Sequence, residues 1–219
     1  MSRSTMSSTT SPWPTERAVS QRLLAPVVYG LGKVLLFFLG PVRYANKRAV
    51  PREGGLLLLA NHISDLDPIV VQAACPRHVF FISKSELFEM PSIAWFLRWW
   101  RAFPVRRGEP DRASLKHAIH LLQMGKVVCI FPEGELSESG KLLPLLPGVS
   151  LIARSAKVPV QCVGLIGTTR ILPYGRVVPR MGFGGVSAEF GEAKEFVEKC
   201  PPEEILGWAE SELRRLTNQ

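Results

Sequence analysis

The chain has 219 residues, enough for one domain with a full hydrophobic core. With 46% apolar and 21% charged residues and a mean hydropathy of +0.11, it is too polar for a multi-span membrane protein and more apolar than a freely soluble domain requires. The net charge of +8 points to an anionic partner, and composition does not choose among nucleic acid, a membrane surface and a phosphorylated substrate.

Residues 1–20 are half Ser and Thr, with Pro12 and Pro14, and read as a disordered tail; a transit peptide is the competing reading of so acid-poor a stretch. The next segment, Leu23–Gly40, contains one charge, Lys33. As a helix it would cover about 27 Å, short of a ~30 Å hydrocarbon core, and Pro26, Gly30 and Gly32 weaken it as a straight span. Arg17 and Arg22 precede it, and Arg43, Lys47, Arg48 and Arg52 follow it. Basic flanks on both sides fit a helical segment, residues 21–45, that associates with the cytoplasmic face of a membrane as a peripheral or monotopic anchor. A buried core helix is the alternative. Residues 46–219 then form the main domain.

From Gly54 apolar runs alternate with helical patterns. "LLLLA" (56–60), "HVFFIS" (78–83), "VVCIF" (127–131) and "VQCVGLI" (160–166) read as buried strands, and "VSAEFG" as a late one. "PSIAWFLRWW" (91–100), residues 111–125, "GVSLIARSA" (148–156) and the tail "PPEEILGWAESELRRL" read as helices. In the second of these, Leu115, Ile119 and Leu122 form the apolar stripe, Asp111 is the N-cap and Gly125 the stop. The tail is a capped helix, acidic at its start and basic at its end. The alternation predicts a mixed, largely parallel α/β sheet flanked by helices. Cys75, Cys129, Cys162 and Cys200 are scattered, which predicts reduced thiols rather than disulfides.

"NHISDLD", Asn61–Asp67, leaves the carboxyl end of the first buried run, where ligands of open α/β sheets gather. Asp67-Pro68 reads as N-cap and first helical residue. On one helix, His62 and Asp67 would diverge by about 140°. A loop between them permits a hydrogen bond that orients the imidazole and stabilises its protonated form. "PEG", Pro132–Gly134, leaves another strand on the same edge. Lys84 follows a third, and Arg106 and Arg107 follow the short run "FPV", placing basic groups where a phosphate could be held. His117 and His120 are three apart on a helix, with no carboxylate spaced to complete a metal site.

In order, "NHISDLD", "FPVRR", "FPEG", "GKLLPLLPG" and "VPVQCVG" resemble the motif blocks of the glycerolipid acyltransferase family that includes 1-acylglycerol-3-phosphate acyltransferases. The resemblance covers about residues 45–170. It implies transfer of an acyl chain from acyl-CoA or acyl carrier protein to the hydroxyl of a lysophospholipid, 1-acylglycerol-3-phosphate first. No cofactor or metal is implied, and nucleic acid is not a partner. His62 is then the general base and Asp67 stabilises its imidazolium. Asn61, Lys84, Arg106, Glu133 and Gly134 are the implied substrate-binding residues, with Glu133 either binding acceptor hydroxyls or holding the loops together. Ser64 reads as a loop hydrogen-bonder rather than a nucleophile. Two positions depart from the family pattern. Glu135-Leu136 stands where Thr-Arg is usual, and Arg101 where glycine is common. The first leaves open an acceptor with an amine-bearing head, and water as acceptor would make the chain a thioesterase.

Overall fold

Leu56–Ala60 forms strand β2, and every side chain along it is buried. A continuous apolar run of this kind belongs to an interior strand with both faces covered. Leu56, Leu58 and Ala60 point into one core and Leu57 and Leu59 into another. The computed structural model describes residues 19–105, 111–182, 184–197 and 199–219.

In chain order the elements are α1 (Val19–Leu39), β1 (Val42–Ala45), β2, α2 (Asp67–Ala74), β3 (Val79–Lys84), α3 (Pro91–Trp100) and β4 (Ala102–Val105). Then follow α4 (Arg112–Gln123), β5 (Val127–Ile130), α5 (Gly148–Ala156), β6 (Val160–Ile166), β7 (Val186–Phe190) and α6 (Pro202–Thr217). The strands form one sheet in the order β1-β7-β6-β2-β5-β3-β4. Among the described strands only the β6–β7 pairing is antiparallel. The mixed, largely parallel sheet expected from the sequence is therefore the observed architecture. One core lies between the sheet and α1, α2 and α3, the other between the sheet and α4, α5 and α6.

Helices differ from expectation in instructive ways. Asp111 caps α4 by accepting from the Ser114 amide at 3.0 Å, and Gly125 ends it with φ of +77°. The buried face of α4, however, is rotated to take in Ser114, His117, Ala118 and Leu121, leaving Leu115 and Ile119 half-buried at its margin. α6 carries the expected acidic start and basic end, but Pro201 precedes it without a side-chain cap. It lies so close to β6 that a Cβ on Gly164 would sit 2.8 Å from the Leu216 carbonyl oxygen. Arg101, the position where glycine is common, ends α3 in the left-handed conformation, φ +66°. That is the conformation glycine adopts without steric cost. Here an arginine adopts it, with its guanidinium carbon 5.3 Å from the centre of the Phe80 ring.

α1 runs unbroken for 21 residues, through Pro26, Gly30 and Gly32. Ala25, Tyr29 and Leu36 face the body; Tyr29 hydrogen-bonds His78 Nδ1 at 2.9 Å and meets Trp99 and Trp100 edge-on. The other side exposes Leu24, Val27, Leu31, Leu35, Phe37 and Phe38. The helix is thus part core element and part bare apolar face. Among the described residues no helix is long and apolar enough to cross a membrane. Residues 42–45, part of the expected membrane-associating segment, pair with β7 as the sheet's edge strand. The expected tail falls on residues 1–20, of which 1–18 lie outside the described residues.

Candidate active site

Three neighbouring parallel strands, β6, β2 and β5, deliver their carboxyl ends to one place. β2 is followed by Asn61 and His62, β5 by Phe131–Gly134, and β6 by a single 3-10 turn, Thr168–Arg170. Each end contributes a polar side chain to a buried network.

His62 Nδ1 lies 3.0 Å from Asp67 Oδ2, in the expected pairing. Asp67 is not the N-cap the sequence suggests. It is the first residue of α2, behind Leu66, and its carboxylate turns back into the loop. The same Oδ2 accepts the amides of Ile63 and Ser64 at 2.7 and 2.8 Å, while Oδ1 accepts the Thr168 hydroxyl at 2.6 Å. Burying a carboxylate completely, as here at 0% exposure, is costly unless its lone pairs are satisfied. Four donors satisfy them, and they fix the carboxylate against the imidazole. With Asp67 accepting, Nδ1 carries the proton and Nε2 presents its lone pair. Among the described residues Nε2 has no hydrogen-bond partner, and the side chain retains 11% exposure. The ring stacks on Phe131 at 4.0 Å between centroids, and Phe131 stacks on Phe81 in turn. Phe131, read from sequence as the end of a strand, is instead the first residue beyond it and holds the imidazole plane.

Glu133 is buried and ties two loops together. Oε1 accepts the His62 amide and Oε2 the Leu143 amide, each at 2.7 Å. Burial raises its pKa, partly opposed by those two hydrogen bonds. Of the two roles implied for Glu133, its contacts are those of the loop-holding one. Gly134 has φ of +74°, and a Cβ there would collide with Leu146, so glycine makes the turn that places Glu133. Asn61, implied as substrate-binding, makes two bonds within the scaffold. Its amide donates to the Leu165 carbonyl at 2.9 Å and accepts the Leu165 amide at 2.7 Å, bridging β2 to β6. Ser64 donates to the Leu172 carbonyl at 2.7 Å and accepts the Leu66 amide, as a loop hydrogen-bonder does.

Lys84 ends β3 on the same edge, exposed and paired in register with Val105, the last residue of β4. Arg106 and Arg107 lie outside the described residues. Thr168, which donates to Asp67, is a residue of the candidate site that sequence reasoning missed. Beyond the dyad, the Tyr174 pKa is raised by the carboxylate of Glu138 first, with Glu135 and Asp65 adding to it. Among the described residues no three His, Cys, Asp or Glu side chains assemble as a metal site. The four cysteines are buried and unpaired with one another, and burial pushes the Cys75 thiol up to about 11.

The description "Acyltransferase" belongs to the family model that matches residues 41–166. The 1-acyl-sn-glycerol-3-phosphate acyltransferase of Bacillus subtilis is 34% identical over 129 residues, 58% of this chain and 64% of that protein. Its chloroplastic counterpart BAT2 from Brassica napus is 35% identical over 119 residues, 53% of this chain and 34% of that one. The matches thus span less than two thirds of these relatives' length. Among solved structures, the 1-acyl-sn-glycerophosphate acyltransferase PlsC of Thermotoga maritima superposes with a TM-score of 0.75 at 25% identity, covering 91% of this chain and 81% of that one.

Proposed function

We propose, from the premise that this chain belongs to the acyltransferase family, that it moves an acyl group from a thioester to a lysophospholipid hydroxyl. One observation carries the reading: a histidine whose Nδ1 is held at 3.0 Å by a fully buried, four-times-bonded aspartate. His62 Nε2 takes the acceptor's hydroxyl proton as the oxygen attacks the thioester carbonyl. Asp67 stabilises the imidazolium that forms. The carbon–sulfur bond then breaks, and the imidazolium returns its proton to the departing thiolate. No enzyme nucleophile is required, which fits a Ser64 hydroxyl already committed to the Leu172 carbonyl. The donor is acyl-CoA or acylated acyl carrier protein. The first acceptor is 1-acylglycerol-3-phosphate, with Lys84 and Arg106 as the phosphate-binding groups. The bare face of α1 rests on the cytoplasmic side of a membrane, as a peripheral or monotopic attachment.

A second acceptor class has an observation in its favour. Glu135, which replaces a usual family position, joins Glu138 and Asp65 in the negative field around Tyr174. That field favours a lysolipid whose head carries an amine. Labelled acyl-CoA offered with lysophosphatidate, with amine-bearing lysolipids and with no acceptor separates the readings. Diacyl product that disappears in folded His62→Ala is the expected result. Free fatty acid as the sole product would make the chain a thioesterase, and unchanged turnover in His62→Ala would remove the dyad from the mechanism.

A further inference from the structure

Residues 173–182 form a surface loop whose apolar side chains are unusually bare. Val177 is 93% exposed and Val178 74%, with Met181 exposed close by. Arg170, Arg176 and Arg180, all exposed, bracket them, while the carboxylates of Glu138, Glu135 and Asp65 stand near Tyr174 at the start of the loop, away from its apolar tip in sequence. The loop is nonetheless anchored along its length. The Arg176 amide donates to the Pro173 carbonyl, the Arg180 amide to Ile171, and Arg180 Nε to the Arg170 carbonyl. At its start, Leu172 is buried and its carbonyl accepts from Ser64 in the catalytic loop. At its end, the Gly182 amide donates at 2.6 Å to the carbonyl of Leu39, the last residue of α1. Just before Leu39, Phe37 and Phe38 are 67% and 66% exposed. The loop therefore touches the C-terminal end of α1 at one end and the dyad's loop at the other.

We infer that residues 173–181 are a second membrane-contacting element, a fixed wedge that seats Val177, Val178 and Met181 in an anionic phospholipid surface. Apolar tips among arginines match the two layers such a surface offers: acyl chains below and phosphates above. The loop's end is bonded to the end of α1, one residue beyond the exposed Phe37-Phe38 pair. The wedge lies on a segment that also carries Thr168, the partner of Asp67. The inference shares the lipid-acceptor setting of the proposed function, but its test requires no catalysis, so the two can fail separately.

The test uses the full chain with Val178→Cys labelled by a polarity-sensitive fluorophore, which the four buried native thiols allow to be selective. On phosphatidylglycerol/phosphatidylcholine vesicles the emission should shift to the blue and brighten, and added salt should weaken the effect. The Val177→Asp/Val178→Asp variant should keep its melting temperature and co-sediment with those vesicles at least ~10-fold more weakly. Water-like emission while the chain co-sediments would overturn the inference. So would unchanged sedimentation of the double variant, or an equal spectral response on purely zwitterionic vesicles. Loss of a dimer in the double variant, with vesicle binding intact, would assign the patch to a second copy of the chain and overturn it equally.

Discussion

Replacing Asp67 by Asn separates two roles a triad-type aspartate can have: holding the imidazole's tautomer and stabilising its charge. Among the described residues, Oδ2 faces three N–H donors, from Ile63, Ser64 and His62, whereas Oδ1 faces only the Thr168 hydroxyl. An asparagine therefore places its oxygen toward the three donors and its amino group toward Thr168, whose hydroxyl can turn to accept. The proton stays on Nδ1 and the tautomer survives; the charge alone is lost. Imidazolium and carboxylate about 4 Å apart at an effective dielectric near 20 attract by about 4 kcal/mol. A neutral hydrogen bond recovers part of that, so kcat should fall ~10²–10³-fold at about 1.36 kcal/mol per decade. The fold should hold, since each donor keeps a partner. In a Thr168→Val background the amino group loses its acceptor, and the same change should cost a further ~1–3 kcal/mol of stability. The assay is turnover of labelled acyl-CoA, with thermal melts as the control for folding. A loss of less than ~10-fold in folded Asp67→Asn would refute charge stabilisation by the pair. A loss as deep as that of His62→Ala would refute the orientation argued for the amide.

Glu133→Gln must present an amino group to one of two backbone amides, so Tm should fall by roughly 3–10 °C in a thermal melt. Burial raises the Glu133 pKa from 4.5, so the native state holds the proton more tightly than the unfolded chain; the wild-type stability component from this group declines as pH rises through the window above 4.5, and the Gln variant should lack that slope in denaturant titrations. Burial, with His120 adding to it, lowers His117 from 6.5 to about 4, so its contribution is present above 6.5 and lost as pH falls toward 4; denaturation of His117→Gln should show that acid slope flattened. At Arg101 the left-handed backbone favours glycine, so Arg101→Ala should melt roughly 2–4 °C below Arg101→Gly although both lose the contact with Phe80.

How legible each element was depended on how far its determinants lie along the chain. β2 and β6 could be read to the residue because strands covered on both faces are written as continuous apolar runs. β1 could not: "VRYA" is a four-residue edge strand whose Arg43 reads as a basic flank of the preceding apolar helix. Asp67-Pro68 gave the helix start but not its phase, since N-cap and N1 aspartates look alike in sequence. The His62–Asp67 pair was visible because its partners are five residues apart. Thr168 is 101 positions from Asp67, and a threonine two residues past a strand carries no spacing signal. The same distance hid the role of Asn61, whose partner Leu165 lies 104 residues on. Motif adjacency suggested a ligand contact and carried no sign of the brace to Leu165.

Those long-range ties explain why the dyad stands at the end of the central strand rather than at an edge. A histidine in an unsupported loop samples several rotamers, and holding one costs conformational entropy at each turnover. Here His62 is fixed from both sides of β2. From the β6 side, Thr168 holds Asp67 and Leu165 holds Asn61; from the β5 side, Glu133 holds the His62 amide and Phe131 holds its ring. Only a strand with parallel neighbours on both sides has two further carboxyl ends within reach, and β2 has β5 and β6. The ordering cost is met during folding, by bonds that also satisfy the buried carboxylates. In the proposed reaction the imidazole is thereby in place before substrate arrives, and binding energy remains for the acceptor and thioester.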